Sequence, residues 1–288
     1  TGTTEHYIGI FRSNGKTVDY GQYFNAVDGG AVRTLDYAGT DTVRVQYQFR
    51  LNPNANTILT MGGAVLLMHT VNWSEMYIDG GGKTFGTVVV RHLYNTNGAT
   101  NIRFRDDNTV YGNVFMTINN GSRMYKEGTG NTFGNVTINY INASVTSTTW
   151  NHIFGTNTFG NFTITSNGMN PDFYCDQNNT FGQVSLPAGT TWQINNAKIQ
   201  NLTGLSATGT CLKFVNINSS GSGSTITDSN GGSNAIDFVK LTNMVFTGAT
   251  WSATNTLDYG GNSGISITPL AGQTYYWVGG AGNWSNTA

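Results

Sequence analysis

The sequence predicts an all-β chain folded as a right-handed parallel β-solenoid, or β-helix, with coils of about 22–26 residues. Three observations carry that expectation. A short phrase recurs: Lys83-Thr84-Phe85-Gly86, Asn131-Thr132-Phe133-Gly134, Asn157-Thr158-Phe159-Gly160 and Asn179-Thr180-Phe181-Gly182, with a looser copy at Val110-Tyr111-Gly112. Its glycines fall at 86, 112, 134, 160 and 182, so the steps are 26, 22, 26 and 22 residues. A second pair of phrases, Cys211–Ile217 and Ala235–Leu241, repeats at a spacing of 24. A fixed period of this size means one small unit stacked on itself. Dividing the length by the period gives roughly ten coils.

The chain divides into three parts. Residues 1–60 lack the phrase and read as an N-terminal β region, either capping the solenoid or continuous with it. Residues 61–270 carry the repeats. In each copy the apolar positions keep their offsets: Phe85, Val88 and Val90 match Phe133, Val136 and Ile138, then Phe159, Phe162 and Ile164, then Phe181, Val184 and Leu186. The last two of each set alternate with polar residues, as in a strand with one buried face. The glycine breaks the alternation, which suggests a corner. Candidate partner strands are Ile102–Phe104, Met124–Tyr125, Trp150–Phe154 and Phe173–Cys175. In the second phrase pair Leu212 falls on Ile236 and Phe214 on Phe238, which would set Lys213 over Asp237. Residues 271–288 read as a linker or the start of a following block. A β-sandwich array is the competing reading, since short strands with Gly and Asn turns suit it too. Sandwich strands, however, do not place the same side chain at the same corner repeatedly.

Composition narrows the function classes. Only 10% of residues are charged, while 38% are hydrophobic and 12% aromatic, which fits a folded rather than a disordered chain. Residues 1–127 hold 21 of the 29 charged side chains and 128–171 hold none. Asn, Thr and Ser cover that neutral stretch, where stacked like charges would repel. A net charge of −1 without basic runs argues against a nucleic-acid partner. The longest apolar run, Ile58 to Met68, is interrupted by Gly62 and Gly63 and is too short for a membrane-spanning helix. Cys175 and Cys211 can pair in an oxidising compartment, or both can be small buried residues.

Two stretches resemble a known family. Asn-Thr-Phe-Gly-Asn-Val-Thr-Ile, at 131–138, is similar to the repeat of very large secreted surface proteins of Bacteroidetes, adhesin-like proteins related to gliding adhesins. Thr250–Gly264 resembles the closing segment of their blocks. Tyr276-Trp277-Val278-Gly279-Gly280-Ala281-Gly282-Asn283-Trp284 resembles the opening of the next block. The resemblance implies export by the type IX route, display at the cell surface and adhesion, often to polysaccharide or other surface proteins, within a longer multi-block chain. It implies no catalytic residues. Similar modules occur in phage tail fibres, and solenoids also include sugar-cleaving lyases and glycosidases.

Candidate sites are few. Asp106-Asp107, flanked by Arg103 and Arg105, is the best acidic pair for a solenoid glycosidase, which needs two carboxyls about 5–10 Å apart. Adjacent aspartates before Asn108 are also ordinary turn chemistry, and no catalytic residue is assigned. His6, His69, His92 and His152 lack metal-site spacing. Asp228, Asn230 and Asn234 offer oxygens at alternate positions, a loose calcium loop without the closing Glu. No other cofactor is expected. For sugar stacking, Trp150 and Trp192 in the side segments are the candidates, with core packing as the competing role. Trp277 and Trp284 read as packing at a block junction.

Overall fold

The computed structural model describes residues 3–5, 9–26, 31–39, 41–51, 56–70, 75–93, 101–119, 123–141 and 149–272. Among them every regular element is a strand, and the strands pair in parallel as a β-solenoid of about nine turns. Most turns place one strand on each of three ladders; in the turn Met76–His92 the corner is reduced to a single bridge from Thr84 to Val110. The turn beginning at Asn101–Arg105 runs through Val110–Tyr111 and Val114–Ile118, and the chain then rejoins the first ladder at Arg123–Lys126. The first ladder is a fourteen-stranded sheet, and the second, from Val18–Asp19 to Gly204–Ala207, has nine strands. The corner ladder is split into a three-stranded piece, Gly9–Arg12 to Thr57–Thr60, and a seven-stranded piece, Val110–Tyr111 to Met244–Thr247.

The first and second ladders run past residue 60 without interruption: Gln48–Leu51 pairs with Met76–Asp79, and Thr42–Val45 pairs with the strand Val65–Thr70, while the corner ladder breaks after Thr57–Thr60. The apolar run from Ile58 to Met68 is two strands joined by Gly62 and Gly63, both at positive φ. Beyond Gly272 the chain, including Trp277 and Trp284, lies outside the described residues, as does Trp73.

The recurrent phrase builds the interior. Phe85, Tyr111, Phe133, Phe159 and Phe181 are all buried and form a column with ring centroids 5.4, 4.8, 4.8 and 5.0 Å apart. Phe162 from the second ladder stacks on Phe173 from the first at 4.7 Å, and Phe181 meets both edge-on. Each buried ring contributes about 1.5–3 kcal/mol by leaving water, with about 0.5–1.5 kcal/mol more from ring geometry.

Two asparagine columns flank the rings. The first departs from the expectation that Asn tiles the outside: Asn131, Asn157 and Asn179 are buried. Asn131 Nδ2 donates to Asn157 Oδ1 at 2.9 Å, which also accepts from the Asn131 backbone N–H at 3.1 Å. Asn157 N–H in turn donates to Asn179 Oδ1 at 2.9 Å, and Gln200 continues the column. A buried amide is tolerated here because the stacking supplies both donors and acceptors. The second column is exposed: Asn113, Asn135 and Asn161 accept the backbone N–H groups of Asn135, Asn161 and Gln183.

Register corrects the second phrase pair. Val215–Asn218 pairs with Val239–Thr242, as the spacing of 24 requires. Leu212, however, is 91% exposed whereas Ile236 is buried. The strand Ser233–Asp237 lines up through Asp237 with Thr208, so the turn at 211–214 does not stack on residues 235–238 as a whole, although the Phe214 and Phe238 rings do meet, with centroids 6.0 Å apart. Lys213 Nζ accordingly reaches Gly168 O at 2.8 Å rather than Asp237. Cys211 in this turn is exposed and Cys175 is buried, both as free thiols.

Candidate functional site

Alternation on the first ladder sends one set of side chains to the core and the other to the outer face. In Asn101–Arg105, Ile102 and Phe104 are buried while Arg103 and Arg105 face outward. Parallel in-register pairing then lines the outward residues up from coil to coil. Tyr77 pairs with Arg103, Arg103 with Tyr125, Tyr125 with His152, His152 with Tyr174, Tyr174 with Gln193, and Gln193 with Asn218. This row of aromatic, cationic and amide side chains runs along the solenoid axis at one residue per coil, about 4.8 Å apart.

Its N-terminal half is an ion network. Arg50 Nε donates to Asp79 Oδ2 at 2.7 Å, and Arg105 sits between Asp79 and Glu127 at 4.0 and 3.5 Å. Arg103 bonds Glu127 and reaches Glu75 at 3.3 Å. The guanidiniums also lie over rings, Arg105 3.9 Å from the Tyr77 centroid and Arg103 4.9 Å from that of Tyr125. Half-exposed pairs of this kind add little stability singly; their effect is to hold the arginines flat and neutralised. Burial pushes the Asp79 carboxyl up, opposed by its bond from Arg50.

Its C-terminal half is aromatic. The His152 ring lies 3.8 Å from that of Phe154, which is 39% exposed, and Phe154 stacks near-parallel to Tyr125 at 5.8 Å. His152 Nε2 is 2.7 Å from Asp176 Oδ2, which orients the imidazole. Next to this stack a groove of about 180 Å³ is lined by His152, Tyr174, Asp176, Gln193, Asn195 and Ser220. Ring faces beside amide and hydroxyl groups suit a ligand with apolar C–H faces and many hydroxyls.

The expected site residues fare differently. Trp192 is corrected: it is fully buried, stacked on Phe173 at 5.7 Å, because its strand alternation points it and Ile194 inward. It offers no surface to a sugar. Trp150 stands in the strand Thr149–Ile153 in register with Asp172, and its side chain lies outside the described residues. Asp228 and Asn234 do come together, but as a closed turn rather than an open cation cradle. Asp228 Oδ1 accepts the Asn230 backbone N–H at 2.8 Å and Oδ2 accepts Asn234 Nδ2 at 2.6 Å, while Asn234 Oδ1 accepts the Leu205 N–H. N–H donors thus already face the oxygens that calcium would use.

Asp106 and Asp107 are likewise architectural. Asp106 Oδ2 accepts the Gly81 N–H and Asp107 Oδ1 the Thr129 N–H, both at 2.6 Å, so each carboxylate ties its turn to a neighbouring coil. Beneath them Lys126 is buried, donating to Phe104 O and Asp106 O, and burial lowers its pKa to about 8. Sequence reasoning missed Tyr125, His152, Phe154, Tyr174 and Asp176. The signal was present in the partner strands, where one polar or aromatic residue per coil alternates with buried apolar ones.

The fold and this face define a parallel β-solenoid with an aromatic and amide-rich outer sheet. Comparisons with protein-family models, curated proteins and solved structures find no match to the chain.

Proposed function

We propose that this chain is a structural and adhesive module of a large secreted cell-surface protein, holding extracellular polysaccharide on the outer face of its first ladder. The observation that carries this reading is the in-register row through Tyr125, His152 and Tyr174, backed by the exposed Phe154 ring. A linear glycan laid along the axis would meet one such side chain per coil, since the coil step of about 4.8 Å is close to the length of one extended sugar unit. The resemblance of the repeat phrase to surface adhesin blocks points the same way. Binding without cleavage is favoured by the state of the carboxylates, since Asp79, Glu127, Asp176, Asp106 and Asp107 are each committed to an arginine, a histidine or a backbone N–H.

A glycan array paired with a reducing-sugar assay tests this reading. The expected result is retention of one or more polysaccharides with no release of reducing ends. Product release abolished by Asp106→Ala or Asp107→Ala would replace the adhesive reading with an enzymatic one.

A further inference from the structure

A second groove lies on the other side of the solenoid, on the outer face of the second ladder. Its volume is about 310 Å³, and Arg44, His69 and Arg91 stand around a floor that includes Leu67. Arg44 pairs in register with Leu67, and His69 with Arg91, so the three polar residues come from three successive coils. The Arg44 and Arg91 backbones are therefore two coil steps apart, about 9.6 Å along the axis.

The charge state of these arginines differs from that of every arginine in the first-ladder network. Arg50, Arg103 and Arg105 are each engaged by carboxylates. Arg44 and Arg91 have no carboxylate within salt-bridge distance among the described residues. The one acid at the groove, Asp19, uses its Oδ1 to accept the Gly21 N–H at 2.9 Å. Asp19 stands in register with Arg44, so the groove sets one carboxylate against two exposed guanidinium forks and an imidazole, and neither arginine is ion-paired with it. A guanidinium fork matches a planar or tetrahedral oxyanion by paired N–H donation.

We propose that the Arg44–His69–Arg91 groove binds an acidic polysaccharide through its carboxylate or sulfate groups, one anion at each arginine. The two-coil separation calls for a ligand that presents charges repeatedly along an extended chain, and the apolar floor at Leu67 accepts the ring between them. Two guanidiniums in a chain of net charge −1 are too few for a nucleic-acid backbone, where affinity grows with the number of phosphates neutralised. The groove is separate from the aromatic row, so either site can fail without the other.

Isothermal titration at low ionic strength tests the proposal with polygalacturonate and dextran sulfate as probes and neutral dextran as control. The wild-type chain is expected to bind at least one charged polymer and not dextran, and to release it as salt rises. Preference between the two polymers identifies the anion as carboxylate or sulfate. Arg44→Gln and Arg91→Gln should each weaken binding about tenfold or more, the loss expected for one charge-assisted pair. Both side chains point to solvent, and the circular dichroism of the variants should match wild type. Lys198→Gln, which removes a cation outside the groove, should leave this binding unchanged. The proposal is overturned by absence of binding to both charged polymers, by equal binding to dextran, or by full affinity in the Arg44→Gln/Arg91→Gln double variant.

Discussion

The glycine at each corner is required by space rather than by an unusual dihedral. A methyl group on Gly160 would lie 2.9 Å from the carbonyl carbon of Gly134, and one on Gly112 2.6 Å from Gly86 O. The close approach lets the N–H groups of Gly112, Gly134, Gly160 and Gly182 each donate to two carbonyls of the coil below: Gly160 N–H reaches Phe133 O at 2.9 Å and Gly134 O at 3.0 Å. Gly160→Ala should therefore destabilise the chain by about 1–3 kcal/mol, the usual cost of overpacking, measured by urea unfolding. Gly232 is the control for space: a methyl group there would meet nothing within 4 Å, although its φ of +95° adds a backbone cost of its own. Lys126 makes a second residue-scale prediction. Its pKa is lowered from 10.5 to about 8 by burial, so as pH rises the folded state gives up this proton before the unfolded state does. Its effect on stability is least favourable below pH 8 and improves between about 8 and 10. Wild type should gain about 3 kcal/mol relative to Lys126→Met across that window. The comparison with the variant is needed because the buried Cys175 thiol, pushed up to about 12, has the opposite sign from about pH 9.

At the scale of the element, the ladder rather than the strand is the unit of stability. The buried asparagine column shows this, since each amide satisfies a backbone N–H of the preceding coil. Asn157→Ala would leave the Asn131 backbone N–H without its acceptor and Asn131 Nδ2 with only Thr129 O, and should cost about 1–3 kcal/mol in thermal or urea unfolding. Exposed Asn139, whose Oδ1 accepts the Thr165 hydroxyl at the surface, should tolerate the same change with little loss. The corner and its neighbours were legible in the sequence because stacking demands the same ring at the same offset in every coil. Phe133, Val136 and Ile138 could be placed inside from spacing alone. The turn at 211–214 was not legible, because a local likeness of sequence does not reveal which hydrogen-bond register a strand will take. The outer face was not legible for a related reason. Outward positions such as Arg103, Tyr125, His152 and Tyr174 share a register without sharing a residue type, so no repeat marks them. Trp192 was within reach of period-2 reasoning, since Thr191 and Gln193 on either side of it are the polar, outward members of its strand.

Across the whole molecule the three ladders divide the work. The corner ladder holds identical rings and amides and fixes the coil height. The first and second ladders carry the variable outward residues, and each has its own groove: one aromatic and charge-balanced, the other cationic. A solenoid contacts only its neighbouring coils, so a change on one outer face should leave the fold elsewhere intact. That separation makes the surface reading open to test by substitution without loss of structure. The most direct measurement is the affinity of wild type and Tyr174→Ala for the best polysaccharide found on the array, with folding checked by circular dichroism. Loss of this outward-facing, half-buried aromatic side chain should weaken binding about tenfold or more, the range found when a central contact side chain is truncated, with the spectrum unchanged. Equal affinity in the two proteins would contradict a polysaccharide site on the first ladder.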